Sequence, residues 1–143
     1  MQILVTGAAG FIGSSLCQKL ANAGHSVFAL DNFSDYYDTS LKQYRAKELL
    51  EPYKVEVIDL DICNKVELSK LIKTSKPEVI INLAAQAGVR LPLNQSYKYV
   101  DSNLVGFTNI LTESVESKIR YFLYASSSSV YGDSAAIPYT ETE

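Results

Sequence analysis

Gly7, Gly10 and Gly13 follow one another at a G-x-x-G-x-x-G spacing, and the chemistry such a loop can do needs glycine at each place. An apolar run at 3–5 reads as a buried strand, and an apolar helical pattern begins at Phe11 and Ile12. Gly7 lets the chain turn tightly, Gly10 lets backbone approach a diphosphate, and Gly13 lets the helix lie close on the strand. The helix opening at Phe11 then points unpaired N–H groups and a partial positive charge at the phosphates. Glycine spacing alone is a weak signal. A strand before it, a helix after it and an acid about 20 residues on make it a dinucleotide fingerprint.

That acid is Asp31, followed by Asn32, at the carboxyl end of a second apolar segment over 26–30. A carboxylate there accepts both ribose hydroxyls of an adenosine and repels a 2′-phosphate, which favours NAD over NADP. Asp31-Asn32 is also ordinary turn chemistry, so a solvated loop acid or a cap stands as the alternative.

The elements that must hold these residues alternate along the chain. A helix over 11–23 ends at Gly24, a glycine C-cap signal. After the strand at 26–30 comes a polar, aromatic loop, 32–38, and a helix over 40–51 closed by Pro52. A third strand at 55–58, a helix over 65–74, a fourth strand at 79–83 behind Pro77, a long helix over 97–117 and a fifth strand at 121–124 complete the pattern. Short β-α-β units require right-handed crossovers and a parallel sheet covered on both faces. The expected architecture is a doubly wound α/β sheet of order 3-2-1-4-5. The stretch 126–143 is rich in Ser, Gly and Pro and supplies no helix to cover the outer strand, so the sheet is expected to be incomplete at its C-terminal end.

Composition narrows the function. The 143 residues allow one domain with a real core, and the net charge of −3 with no basic block argues against nucleic acid as a partner. No apolar run approaches the roughly 18 residues that span a membrane. The N-terminal strand leads straight into the glycine loop and is not a signal peptide, so a cytoplasmic setting is expected. There Cys17 and Cys63 read as free thiols, and the single histidine, His25, leaves no His/Cys set for a metal.

The glycine loop, Asp31, Asp61-Ile62, Asn82-Leu83-Ala84-Ala85, Asn103 within Asn103-Leu104-Val105-Gly106, and Ser126-Ser127-Ser128-Ser129-Val130-Tyr131-Gly132 together resemble the extended short-chain dehydrogenase/reductase family. Its members include the nucleotide-sugar epimerases and dehydratases, built on the Rossmann fold. Within it the chain is similar to the UDP-glucuronate 4-epimerase group. That likeness rests on the segment 30–38, on Ala84-Ala85-Gln86-Ala87-Gly88-Val89-Arg90, and on the four serines before Val130. Asn82 stands where many members carry histidine, and Phe107 follows Gly106 where threonine is frequent. The family's Tyr-x-x-x-Lys pair is absent from these residues.

The resemblance implies that NAD takes a hydride from C4 of a UDP-sugar, most like UDP-glucuronate, while a tyrosine takes the hydroxyl proton. The 4-keto sugar then turns over and regains the hydride on its other face. It implies Ser127 as the catalytic hydroxyl, with Ser126 on the cofactor side and Ser128 on the substrate side. Either takes the catalytic role if the register slips by one, and a serine-rich turn satisfying its own backbone is the alternative. It implies that Asp61 and Ile62 hold the adenine, against a rival in Asp59 or a plain helix cap. Leu83, Ala84 and Ala85 would leave room for ribose and nicotinamide, or simply pack. Asn103 would sit on the cofactor side, as a buried asparagine that needs partners. Arg90 would meet a sugar carboxylate or diphosphate, or be a surface arginine. Tyr36 and Tyr37 either line the sugar side or cover the second helix. Tyr131 has Ala135, not lysine, four residues on, and reads as packing or pocket wall.

Members of the family commonly form homodimers through the long helix and the tyrosine helix. The chain is expected to be the N-terminal NAD-binding part of such an enzyme and inactive by itself. A nucleotide-sugar dehydratase or decarboxylase, or a non-catalytic NAD-binding module, are the competing readings.

Overall fold

The computed structural model describes residues 1–88, 91–133 and 137–142. Strands β1 (Gln2–Thr6), β2 (Ser26–Asp31), β3 (Val57–Asp59), β4 (Val79–Asn82) and β5 (Tyr121–Tyr124) form one parallel sheet. Its order is β3-β2-β1-β4-β5, the doubly wound Rossmann arrangement expected from the sequence. The order reverses between β1 and β4, where Thr6 lies opposite Asn82. A crevice at the carboxyl ends of the strands opens at such a switch point.

Alternation along the strands builds a core on each face. Ile3, Val5 and Ala29 point to one side and pack with Cys17 of helix α1 (Phe11–Asn22) and with Leu50. Leu4, Leu30 and Ile80 point to the other. There they meet Leu68 and Ile72 of α3 (Lys65–Ser75) and Ile110 of α5 (Phe107–Glu116). Each such fully buried aliphatic side chain contributes roughly 1.5–3 kcal/mol. Helix ends are set locally. Asn64 Oδ1 accepts from the N–H of Glu67 at the start of α3, and Gly24 takes φ +80° just past α1.

Three elements differ from the sequence pattern by more than one residue at an end or in their helix type. The helix expected over 40–51 is α2 (Thr39–Tyr44), then a π-helical segment, Arg45–Leu50, then a 3-10 turn, Glu51–Tyr53, which takes Pro52 near its start. Strand three begins at Val57, not Val55. The Val55 N–H is bound to the carbonyl of Leu50, and the ladder starts where Val57 pairs with Ala29. The long helix runs through α4 (Tyr97–Tyr99), a π-helical stretch, Val100–Gly106, and α5. In that stretch Gly106 lies against Ile62, and a Cβ there would stand 2.6 Å from Ile62 Cγ1. Wide turns of this kind gather near functional sites. Among the described residues no helix is long and apolar enough to cross a membrane.

Glu113 on α5 is only 2 % exposed, and its Oε2 has no hydrogen-bond partner among the described residues. A buried carboxyl with an unpartnered oxygen costs more than an apolar group of similar size. Glu113→Leu is therefore expected to raise stability by about 1–3 kcal/mol, measured as a higher urea midpoint at unchanged slope. A lower midpoint would mean that Glu113 has a stabilising role this geometry does not explain.

Candidate cofactor site

A cavity of about 550 Å³ opens at the carboxyl ends of β1, β2 and β4, beneath the glycine loop. Gly7, Gly10, Phe11, Ile12 and Gly13 line one wall. Gly10 caps α1 with no side-chain acceptor. The N–H groups of Phe11, Ile12 and Gly13 have no protein acceptor among the described residues. The side chains of Phe11 and Ile12 are 78 % and 64 % exposed, an unusual state for apolar residues opening a helix. Free donors at a helix N-terminus, flanked by apolar surface, suit a diphosphate followed by flat rings.

Gly7 turns the chain at φ +67°, and a Cβ there would meet Ala84 N at 2.8 Å. For Gly13 the expected reason needs correction. Its Cβ would fall 2.1 Å from the Gly7 carbonyl oxygen and 2.9 Å from Ala8 Cα, so glycine is required by the loop and not by the strand.

Asp31 is 4 % exposed, which excludes the solvated loop acid. Its Oδ2 accepts from the Ala9 N–H at 3.1 Å. Its Oδ1 accepts from the Phe33 N–H at 2.9 Å and from Lys42 Nζ at 3.0 Å. A carboxylate has about four acceptor positions. Three are taken by protein, which leaves about one, on Oδ2, for a ribose hydroxyl. Lys42 also donates to Ser34 Oγ at 3.1 Å. Arg45 Nη1 donates to Tyr37 Oη at 2.9 Å and to the Ala9 carbonyl at 3.4 Å. Lys42, Arg45, Ser34, Tyr36 and Tyr37 all line the cavity. The two cations lie outside every motif and were missed. Their helical positions were legible in the sequence, but the approach of α2 to Asp31 was not.

Asp61 and Ile62 line the cavity beyond β3, with Ile62 buried in the core. Asp59 belongs to β3 itself and does not line it. Burial alone would raise the Asp61 carboxyl. Hydrogen bonds from Asn32 and from the Cys63 N–H outweigh it and hold the pKa below the usual carboxylate range. Burial pushes the Cys17 thiol up to about 12, and burial together with Asp61 does the same at Cys63, so neither is a ready nucleophile.

Asn82 sits in a buried network at the switch point. Thr6 Oγ1 donates to Asn82 Oδ1 at 2.6 Å and accepts from the N–H groups of Leu83 and Ala84 at 3.2 and 3.0 Å. This hydroxyl, which the sequence did not single out, fixes the path of Leu83, Ala84 and Ala85 along the cavity floor. Asn103 is exposed and does not line the cavity, contrary to the expectation of a buried cofactor-side residue. Its Oδ1 accepts from the Gln86 N–H at 2.8 Å and its Nδ2 donates to the Gln86 carbonyl at 3.2 Å. The helix widens there, so the amide reaches sideways and clamps the loop after β4.

Among the described residues of the segment after β5, only Ala125 lines the cavity. Ser126, Ser127 and Ser128 are exposed. Ser127 Oγ accepts from the Ser129 N–H at 3.2 Å and caps a 3-10 turn, Ser128–Tyr131. Tyr131 stacks on Tyr139 with centroids 4.6 Å apart. Arg90 and Ala135 lie outside the described residues.

Residues 3–143 match the NAD dependent epimerase/dehydratase family. The chain belongs to this family. It is 46 % identical over 144 residues to protein CapI of Staphylococcus aureus and covers 42 % of that protein. It is 42 % identical over 144 residues to UDP-glucuronate 4-epimerase 2 of Arabidopsis thaliana and covers 33 % of it. The fold superposes on the crystal structure of UDP-glucuronic acid 4-epimerase from Bacillus cereus in complex with UDP-glucuronic acid and NAD with a TM-score of 0.82 at 36 % identity. That match spans 99 % of this chain and 45 % of the other. The chain thus spans about a third to two fifths of the length of these curated relatives. The family is NAD-dependent, and the free helix donors, the glycine cradle and the Asp31 corner of this chain fit that cofactor.

Proposed function

We propose that this chain is the NAD-binding part of a UDP-sugar 4-epimerase acting on UDP-glucuronate. One observation carries the reading: the glycine loop leaves three helix N–H groups free over a cavity that has Asp31 at its far corner. NAD, when bound, supplies a reversible hydride acceptor, and the protein supplies position and charge. Phe11, Ile12 and Gly13 hold the diphosphate through their N–H groups, and Asp31 and Asn32 hold the adenosine ribose. Asp61 and Ile62 hold the adenine, while Leu83, Ala84 and Ala85 leave room for the nicotinamide half. Ser127 and Ser128 face the sugar, with Ser126 toward the cofactor and Arg90 toward the sugar carboxylate or the diphosphate. Asn103 acts through the loop it clamps. The matches to UDP-glucuronate 4-epimerases of plants and bacteria support the choice of sugar. The exposed apolar residues Val100, Leu104, Leu111 and Val115 along the long helix support a homodimer.

Two measurements test this. Calorimetric titration of the 143-residue chain with NAD is expected to show one site per chain. The longer protein that contains this chain, given UDP-glucuronate, is expected to form UDP-galacturonate, followed by chromatography. Absence of NAD binding in both proteins would overturn the cofactor assignment. Conversion of UDP-glucose in preference to UDP-glucuronate would overturn the sugar.

A further inference from the structure

The corner of the cavity around Asp31 carries more positive charge than the sequence suggests. Asp31 is the acid there, and two cations stand beside it. Lys42 Nζ lies 3.0 Å from Asp31 Oδ1 and 3.1 Å from Ser34 Oγ, with 8 % of its side chain exposed. Arg45 reaches the same corner, donating to the Ala9 carbonyl at 3.4 Å, while the Ala9 N–H donates to Asp31 Oδ2. The ring of Tyr37 lies under both cations, 5.5 Å from Lys42 Nζ and 5.8 Å from the Arg45 guanidinium carbon.

The acceptor and donor counts matter. Asp31 has three protein donors and about one acceptor position left, on Oδ2. An ammonium has three donors, and two of those on Lys42 are committed, to Asp31 and to Ser34. A vicinal diol presents two hydroxyls, each able to donate and to accept. We propose that Lys42 is a second cofactor-binding residue: the adenosine ribose is read by the Asp31–Lys42 pair and not by Asp31 alone. It follows that Lys42, with Arg45 behind it, sets how strongly the site rejects a 2′-phosphate. The acid repels that group, Lys42 cancels much of the repulsion, and Arg45 adds attraction. Asp31 is then all that keeps a phosphate cradle of Lys42, Arg45 and Ser34 from accepting NADP.

This rests on the NAD site proposed above, and the test separates the two. The affinities of NAD and NADP are measured by calorimetry on the 143-residue chain and on Lys42→Gln, Arg45→Gln and Asp31→Asn variants. Lys42→Gln is expected to weaken NAD and to widen the NAD-over-NADP ratio by about tenfold, the size of one hydrogen bond to a charged group. Arg45→Gln is expected to widen the ratio in the same direction. Arg45 is only half-buried, so that variant carries the decision if Lys42→Gln fails to fold. Asp31→Asn is expected to bring the ratio to one or below. A merely structural ion pair would weaken both dinucleotides together and leave the ratio unmoved. An unmoved ratio in both cation variants overturns this proposal alone. Failure of both the unaltered chain and the longer protein to bind either dinucleotide overturns it together with the site.

Discussion

Gly13→Ala is expected to abolish useful NAD binding and to lower stability together. The added methyl would stand 2.1 Å from the Gly7 carbonyl oxygen and 2.9 Å from Gly7 C and Ala8 Cα. All three are backbone atoms, so no side chain can swing away. Either α1 lifts from the loop or the loop changes shape. Overpacking of this kind costs typically 1–3 kcal/mol and sometimes more. The larger effect falls on the ligand. The free N–H groups of Phe11, Ile12 and Gly13 are useful only while they converge on one point, and a hydrogen bond to a charged group contributes roughly 1.5–3 kcal/mol. Misaligning two of them lowers affinity by at least about a hundredfold. Gly24→Ala is the control. Its φ of +80° makes it strained, but nothing lies within 4 Å of the new methyl. It is expected to cost about 1–2 kcal/mol of stability and to leave NAD affinity unchanged. Calorimetry and thermal melts on both variants decide the matter. Full NAD affinity in Gly13→Ala would show that the diphosphate is not held at this helix end.

Ser127→Ala, made in the longer protein, is expected to lower turnover by roughly 10²–10⁴-fold, the usual weight of one acid/base participant, with NAD affinity unchanged. The prediction sets two roles of one hydroxyl against each other. As it stands, Ser127 Oγ accepts from the Ser129 N–H and donates to Ser129 Oγ at 3.1 Å. That is how a turn cap behaves. Both bonds are exposed and cheap to exchange for a sugar hydroxyl, and the segment leaves β5 next to Ala125, which lines the cavity. A turn cap would show itself as a small loss of stability, about 1 kcal/mol, with turnover kept. A relay would show itself as lost turnover with stability nearly kept, and Ser127→Thr would restore it. If Ser126→Ala or Ser128→Ala does the greater damage, the catalytic hydroxyl is one residue away.

Much of this molecule was legible in its sequence for a physical reason: the signals were local or periodic. Ile3 and Val5 alternate with Leu4, and runs rich in Val, Ile and Leu separated by helical patterns admit few topologies once crossovers must be right-handed. The strand order β3-β2-β1-β4-β5 is one of these few doubly wound solutions and the one expected. The glycine spacing likewise encoded a turn and a bare helix end, because both are properties of consecutive backbone. What the sequence could not supply were distances between segments far apart in the chain. Lys42 is an ordinary helix lysine until α2 folds back and sets its ammonium 3.0 Å from Asp31. Thr6 is one more strand residue until β4 pairs with β1 and brings Asn82 beside it. Asn103 matched a motif, yet from a widened helix its amide binds the Gln86 backbone, and Asn103 itself does not line the cavity. Motif and periodicity decide which backbone is built. The partners of each polar side chain are decided only when that backbone closes, because a buried donor or acceptor must take whatever the tertiary fold places within about 3 Å of it.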